Sequence, residues 1–244
     1  MVAGALTVAW AVVVWRWQDP FTALYTLYEQ HRLAQTYERR ARAFVAEPPV
    51  RSVFAGSPRT GRLPSGRAIA AAEARVIAAD ARRYRLESRE GEPLGRIVVP
   101  RLGLDMIFVD GTGEASLEHG PGRALQSFMP GEDRLVYIAG HRTTFLAPFA
   151  HIDALRRGDP ITLELPYATF AYRVTGHVVV PATDLSVLRS GRSELLALQA
   201  CHPRFFATHR YIVYARLVEV IPKVAPGRPY TTRWARLIRA APTR

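Results

Sequence analysis

Ala197-Leu198-Gln199-Ala200-Cys201-His202-Pro203-Arg204-Phe205-Phe206-Ala207-Thr208-His209-Arg210 joins two apolar runs, one from Leu195 to Cys201 and one from Arg210 to Val220. Short apolar runs broken by proline and polar residues read as strands with a tight connection. The stretch holds the only cysteine of the 244-residue chain, placed where the first strand ends. His202, Arg204, His209 and Arg210 gather positive charge around it, and an electropositive, partly exposed setting favours a reactive thiolate. Cys201 is therefore a candidate nucleophile, although a lone cysteine is more often a small buried hydrophobe.

Outward from this stretch, the same texture covers residues 94–221. Apolar runs recur at 96–99, 106–109, 135–139, 161–165 and 170–180, bounded by Gly, Pro and Asp. Together with the two runs above, they predict a mainly β domain of about seven short strands, a sandwich or barrel. Leu165-Pro166-Tyr167-Ala168 is the clearest hairpin connection.

The flanks are different. Residues 1–17 are apolar up to Arg16 apart from Thr7, with Trp10, Trp15 and Trp17 near the far end, and predict a membrane anchor at the short limit of about 17 residues. Arg16 follows this run and no basic residue precedes it, which conflicts with an extracytoplasmic domain unless the start lies further upstream. Residues 18–93 predict a helical stalk. Within it, Phe21 to Phe44 carries apolar residues at steps of three and four, residues 47–67 read as a Pro/Gly linker, and Ala68 to Leu86 is an Ala-rich helix expected to give little to the core. Residues 222–244 form a basic tail.

The net charge of +12 sits in the flanks: residues 16–93 carry +5, residues 222–244 carry +6, and the β region is near neutral at +1. This excludes a basic nucleic-acid groove on the core and suits anionic lipid or wall polymer. A single cysteine excludes an internal disulfide.

The strand Leu135–Ala139 runs into Gly140-His141-Arg142-Thr143-Thr144, placing His141 at a strand end as Cys201 is. These residues resemble the sortases, envelope cysteine transpeptidases. The matching positions are Gly-His-Arg-Thr-Thr, Ala147-Pro148-Phe149, Ile152-Asp153, Arg157-Gly158-Asp159, Leu198, Cys201-His202-Pro203 and Arg210-Tyr211-Ile212-Val213. Upstream, Pro100-Arg101-Leu102-Gly103-Leu104 and Leu117-Glu118-His119-Gly120-Pro121-Gly122 are similar to the family's opening strands. The resemblance spans residues 94–220 and is nearest to the class E branch. It implies a closed β-barrel and a catalytic trio of His141, Cys201 and Arg210. It also implies cleavage of a Leu-Pro-x-Thr-Gly-like signal, Leu-Ala-x-Thr-Gly in class E, with transfer of the protein to a cell-wall peptide amine. The implied partners are surface proteins bearing that signal, a wall precursor or peptidoglycan amine, and the membrane. Where the family usually has Thr-Leu-x-Thr before the cysteine, this chain has Ala197-Leu198-Gln199-Ala200.

The chemistry stands without the family. An acyl-enzyme route needs a nucleophile, a proton carrier for the leaving amine and a donor for the oxyanion. Cys201, His141 and Arg210 supply them, and the guanidinium stays charged at any working pH. His202, one residue on, points to the opposite strand face, and His209 reads as a turn residue. His119, His151 and His177 lack metal-ligand spacing, no carboxylate cluster suggests calcium, and neither a metal nor a cofactor is expected. Asp19-Pro20-Phe21 reads as a helix start. A papain-like triad is excluded because the chain contains no Asn. A thiol hydrolase on the same barrel and a non-catalytic envelope-binding protein are the alternatives.

Overall fold

A computed structural model describes Gly4, residues 20–46 and residues 66–223. The expected anchor at 1–17, apart from Gly4, most of the Pro/Gly linker and the tail from residue 224 lie outside the described residues. Among the described residues no helix is long and apolar enough to cross a membrane.

Eight strands close into a barrel in the order β1-β2-β3-β4-β7-β8-β6-β5. They are β1 (Pro93–Val99), β2 (Leu104–Asp110), β3 (Gly122–Arg123), β4 (Leu135–Ala139), β5 (Pro160–Glu164), β6 (Ala168–Pro181), β7 (Leu195–His202) and β8 (His209–Pro222). The expected barrel is therefore present and closed. The strand that periodicity could not reveal is β3, which has only two residues. It is held by parallel pairing to β2 and antiparallel pairing to β4. Gly122 permits that pairing, since a Cβ there would lie 2.0 Å from the carbonyl oxygen of Gly111. The 165–168 connection is a hairpin, with Leu165 N–H donating to Ala168 O at 2.9 Å.

Alternation along the strands sets the inside and outside of the barrel. Val136, Ile138, Leu196, Leu198, Ala200, Val213 and Ala215 fill the interior with Phe108, Phe170 and Tyr172. On the opposite face of β4, β7 and β8, Leu135, Tyr137, Ala197 and Ile212 form a second apolar cluster with Ala124. Val180, Val187, Leu188 and Tyr214 pack against its edge.

Two long helices lie on the barrel. Helix α1 (Pro20–Ala43) is tied to it by Gln30, whose amide donates to the carbonyls of Ile107 (2.9 Å) and His119 (2.7 Å) and accepts from Ile107 N–H (2.7 Å). Further along, the Tyr37 hydroxyl donates to Glu164 O at 3.0 Å. Helix α2 (Gly66–Glu87) gives Ile77, Ala81 and Tyr84 to the main core. The expectation of little core from this Ala-rich segment is corrected here: Ile77, Ala81 and Tyr84, four and three apart, share the face toward the barrel. Arg85 fixes α2 with a two-bond fork to Glu132 at 2.7 and 3.0 Å.

Candidate active site

Strand register places the three expected residues on one rim. Cys201 and Arg210 are directly opposed partners in the antiparallel β7/β8 pair, so their side chains leave the sheet on the same face. By alternation this is the outer face that also carries Ala197 and Gln199. In the parallel β4/β7 pair Ala139 stands opposite Gln199. His141 is two residues beyond Ala139 and Cys201 two beyond Gln199, so both leave neighbouring strands at one level. The junction is pinned by Gly140 N–H, which donates to Gln199 O at 3.0 Å. Gly140 must be small because a Cβ there would meet the Phe149 ring at 2.7 Å.

The environment of each group differs. Cys201 is partly exposed. His141 is half-buried, and its Nε2 is buried with no hydrogen-bond partner among the described residues. Burial lowers the His141 pKa from its ordinary value, while the carboxylates of Glu118 and Glu114 pull it back up. Phe145 sits beside the imidazole with ring centroids 5.2 Å apart. The turn that carries it is left-handed at Phe145, Leu146 and Ala147 (φ 51°, 60° and 40°), a conformation that costs about 1 kcal/mol or more per residue without glycine. Leu146 packs against the main core and helps hold that turn in place. The Arg210 guanidinium is steadied through Nη1, which donates to Ala207 O at 2.8 Å and His209 O at 3.0 Å.

Arg142 adds a part that the motif alone does not explain. Its nearly buried guanidinium donates to the carbonyl of Cys201 at 3.3 Å and lies 2.9 Å from Nδ1 of His202. It also pairs with Asp153 at 2.9 Å. One side chain thus ties the loop carrying His141 to the end of β7. His202 is engaged with this guanidinium on the face opposite Cys201, as strand alternation requires. His209 bonds Thr208 across 2.9 Å, His151 meets Arg204 at 3.3 Å, and His177 stacks on Tyr211 at 4.9 Å. Among the described residues no group of three His, Cys, Asp or Glu side chains is placed to hold a metal ion.

The departure before Cys201 also has a local account. Ala197 and Ala200 are fully buried, so methyl groups there leave no hydroxyl to satisfy. Gln199, between them, accepts a hydrogen bond from Tyr137 OH at 2.6 Å on the outer face. A polar pair therefore stands one pleat below the thiol.

The family profile described as Sortase domain matches residues 97–218, half of the chain and nearly the whole barrel. The chain belongs to the sortase family. Among sortases it is similar to Sortase D of Bacillus subtilis, 30% identical over 132 residues, a match covering 52% of this chain and 65% of that protein. It is also similar to Sortase SrtE1 of Streptomyces coelicolor, 33% identical over 103 residues, covering 38% of this chain and 28% of that protein. The matches thus span less than two thirds of either relative. Among solved structures, the crystal structure of Sortase E1 from Streptomyces coelicolor with a tripeptide in the active site superposes with a TM-score of 0.51 at 27% identity, covering 57% of this chain and 95% of that one. The relatives thus include class E sortases, the branch that the Cys-His-Pro and Gly-His-Arg-Thr-Thr forms resemble.

Proposed function

We propose that this sortase is a membrane-anchored cysteine transpeptidase whose catalytic trio is Cys201, His141 and Arg210. The observation that carries the reading is the register: Cys201 faces Arg210 across β7/β8, and His141 leaves β4 at the level of Cys201. In the proposed reaction the Cys201 thiolate attacks the carbonyl carbon of the Thr in a Leu-Pro-x-Thr-Gly-like or Leu-Ala-x-Thr-Gly signal. The C–N bond to Gly breaks, the His141 imidazolium gives its proton to the leaving amine, and a thioester remains. A cell-wall peptide amine then attacks the thioester, passes its proton back to His141 and releases the thiolate. Arg210 supplies charged donors where the oxyanion develops.

Partial burial of the imidazole supports this division of labour, because a proton carrier held out of water exchanges its proton with the reacting groups rather than with solvent. Surface proteins bearing the signal are the proposed substrates. The apolar run at 1–17 is the proposed single-pass anchor, with the barrel outside the cytoplasm. Incubation with a signal peptide, with and without triglycine, tests the reading by product mass. A triglycine-joined product is expected. Water-cleaved product alone would indicate a thiol hydrolase, and no cleavage with unchanged surface display in Cys201→Ala would indicate a binding protein.

A further inference from the structure

Residues 24–30 of α1 are inside out. Their polar side chains point at the barrel: Thr26 is fully buried and donates to Glu118 O, Gln30 makes the three bonds given above, and Glu29 lies 3.7 Å from His119. Leu24, Leu27 and Tyr28 point away from it, 69%, 56% and 62% exposed, and Tyr25, 43% exposed, sits at the edge of this face with its ring 6.4 Å from that of His119. At 100° per residue these four positions share one arc, opposite the arc of Thr26, Gln30 and Tyr37. One helical turn later the same outward arc becomes His31, Arg32, Gln35 and Arg39, all exposed. A surface helix in water carries the reverse pattern.

We propose that Leu24, Tyr25, Leu27 and Tyr28 lie in the interfacial layer of an anionic lipid bilayer, holding the reaction end of the barrel against the membrane. This rests on the reading of residues 1–17 as an anchor. Four observations select lipid over a protein partner. The chain immediately before α1 is the apolar run at 1–17 with Trp15 and Trp17 at its end, so the patch continues a sequence already suited to the bilayer boundary. From Leu24 to Tyr28 the helix rises about 6 Å, close to the roughly 5–8 Å depth of one headgroup layer. Four side chains over one turn also fall far short of the roughly 800 Å² per partner that a stable protein interface buries. The aromatic-to-basic order, Tyr25 and Tyr28 followed by Arg32 and Arg39, is that of a segment leaving an anionic surface.

The patch sits beside the catalytic rim. In the β3/β4 pair Gly122 stands opposite Ala139, which puts Gly120 level with His141. The Thr26 and Gln30 bonds grip the two residues just before it, Glu118 and His119. A bilayer touching the start of α1 therefore lies next to the rim that bears Cys201, within reach of an amine presented at the lipid surface.

The test uses the full chain in a Cys201→Ser background, with single cysteines introduced as Leu27→Cys, Tyr28→Cys, Gln35→Cys or Arg39→Cys and labelled with an environment-sensitive fluorophore. The probe surface is vesicles of phosphatidylethanolamine and phosphatidylglycerol. The expected result is a blue shift and severalfold stronger quenching by nitroxide lipids at positions 27 and 28 than at 35 and 39. Co-sedimentation with vesicles but equal access of iodide to all four labels would overturn the proposal while leaving the anchor reading intact. Failure to sediment with vesicles at all would defeat both. Labels at 27 and 28 shielded from iodide but not reached by nitroxide lipid would assign the patch to a protein surface and overturn the proposal.

Discussion

Arg142 donates a hydrogen bond from its guanidinium to the backbone carbonyl of Cys201 at 3.3 Å. The residue that follows His141 thereby fixes the strand end that carries the thiol. Positioning of this kind matters because a misplacement of about 1 Å can cost about 100-fold in rate. Arg142→Met is expected to lower kcat by about 10- to 100-fold with little change in KM, and Arg142→Lys to restore part of the loss. Asp153→Asn removes the charge of the exposed carboxylate that pairs with the same guanidinium and is expected to change kcat little, since the bond to Cys201 remains. Steady-state kinetics of the three variants check this, and equal losses in all three would assign Arg142 a merely structural part.

In the proposed reaction His141 sets the acid limb of the pH profile. Burial lowers its pKa, so the singly protonated Cys201–His141 pair persists to lower pH than an exposed histidine would allow. The lower limb of kcat/KM is therefore expected below the ordinary histidine value of about 6.5. Glu118→Gln removes the nearby charge that pulls the His141 pKa up, and should move the limb lower still. A limb that stays fixed or rises in Glu118→Gln would contradict the assignment.

Arg210→Lys keeps the charge opposite Cys201 but loses the planar fork of donors. Most activity is expected to disappear, about 100-fold or more in kcat, the scale seen when an oxyanion donor is removed. Wild-type rates would refute the role.

Glu194 offers a test of stability. Its carboxylate accepts from Tyr172 OH at 2.5 Å and Gly131 N–H at 2.7 Å, and burial raises its pKa to about 7. The folded state therefore holds a proton that the unfolded chain releases near pH 4–5. Stability from this group is full below about pH 4 and is lost as pH rises toward about 7. Urea denaturation should show the wild-type protein losing about 1–3 kcal/mol between about pH 5 and pH 8 relative to Glu194→Gln.

The barrel was legible because its strands are short apolar runs bounded by Gly, Pro and Asp. The two-residue β3 was not, since two residues carry no period; it exists through pairing with β2 and β4. His141, Cys201 and Arg210 were legible as strand-end residues, and register brings their strands together. What sequence could not supply was the set of bonds across elements. The grip of Arg142 on Cys201 spans 59 residues, and that of Gln30 on His119 spans 89. The exposed face from Leu24 to Tyr28 was hidden for a related reason: apolar spacing predicts a helix but does not say which face meets the barrel, and here Thr26 and Gln30 claim that face.

The central claim is that Cys201 is the acyl-accepting nucleophile. Intact-protein and peptide mass spectrometry after incubation with a Leu-Ala-x-Thr-Gly or Leu-Pro-x-Thr-Gly peptide tests it directly. The account predicts a thioester adduct, equal in mass to the peptide fragment ending at Thr, on the proteolytic fragment containing Cys201. That adduct should be discharged by triglycine and absent in Cys201→Ala. Peptide cleavage that persists in Cys201→Ala, or an adduct on any other residue, would contradict it.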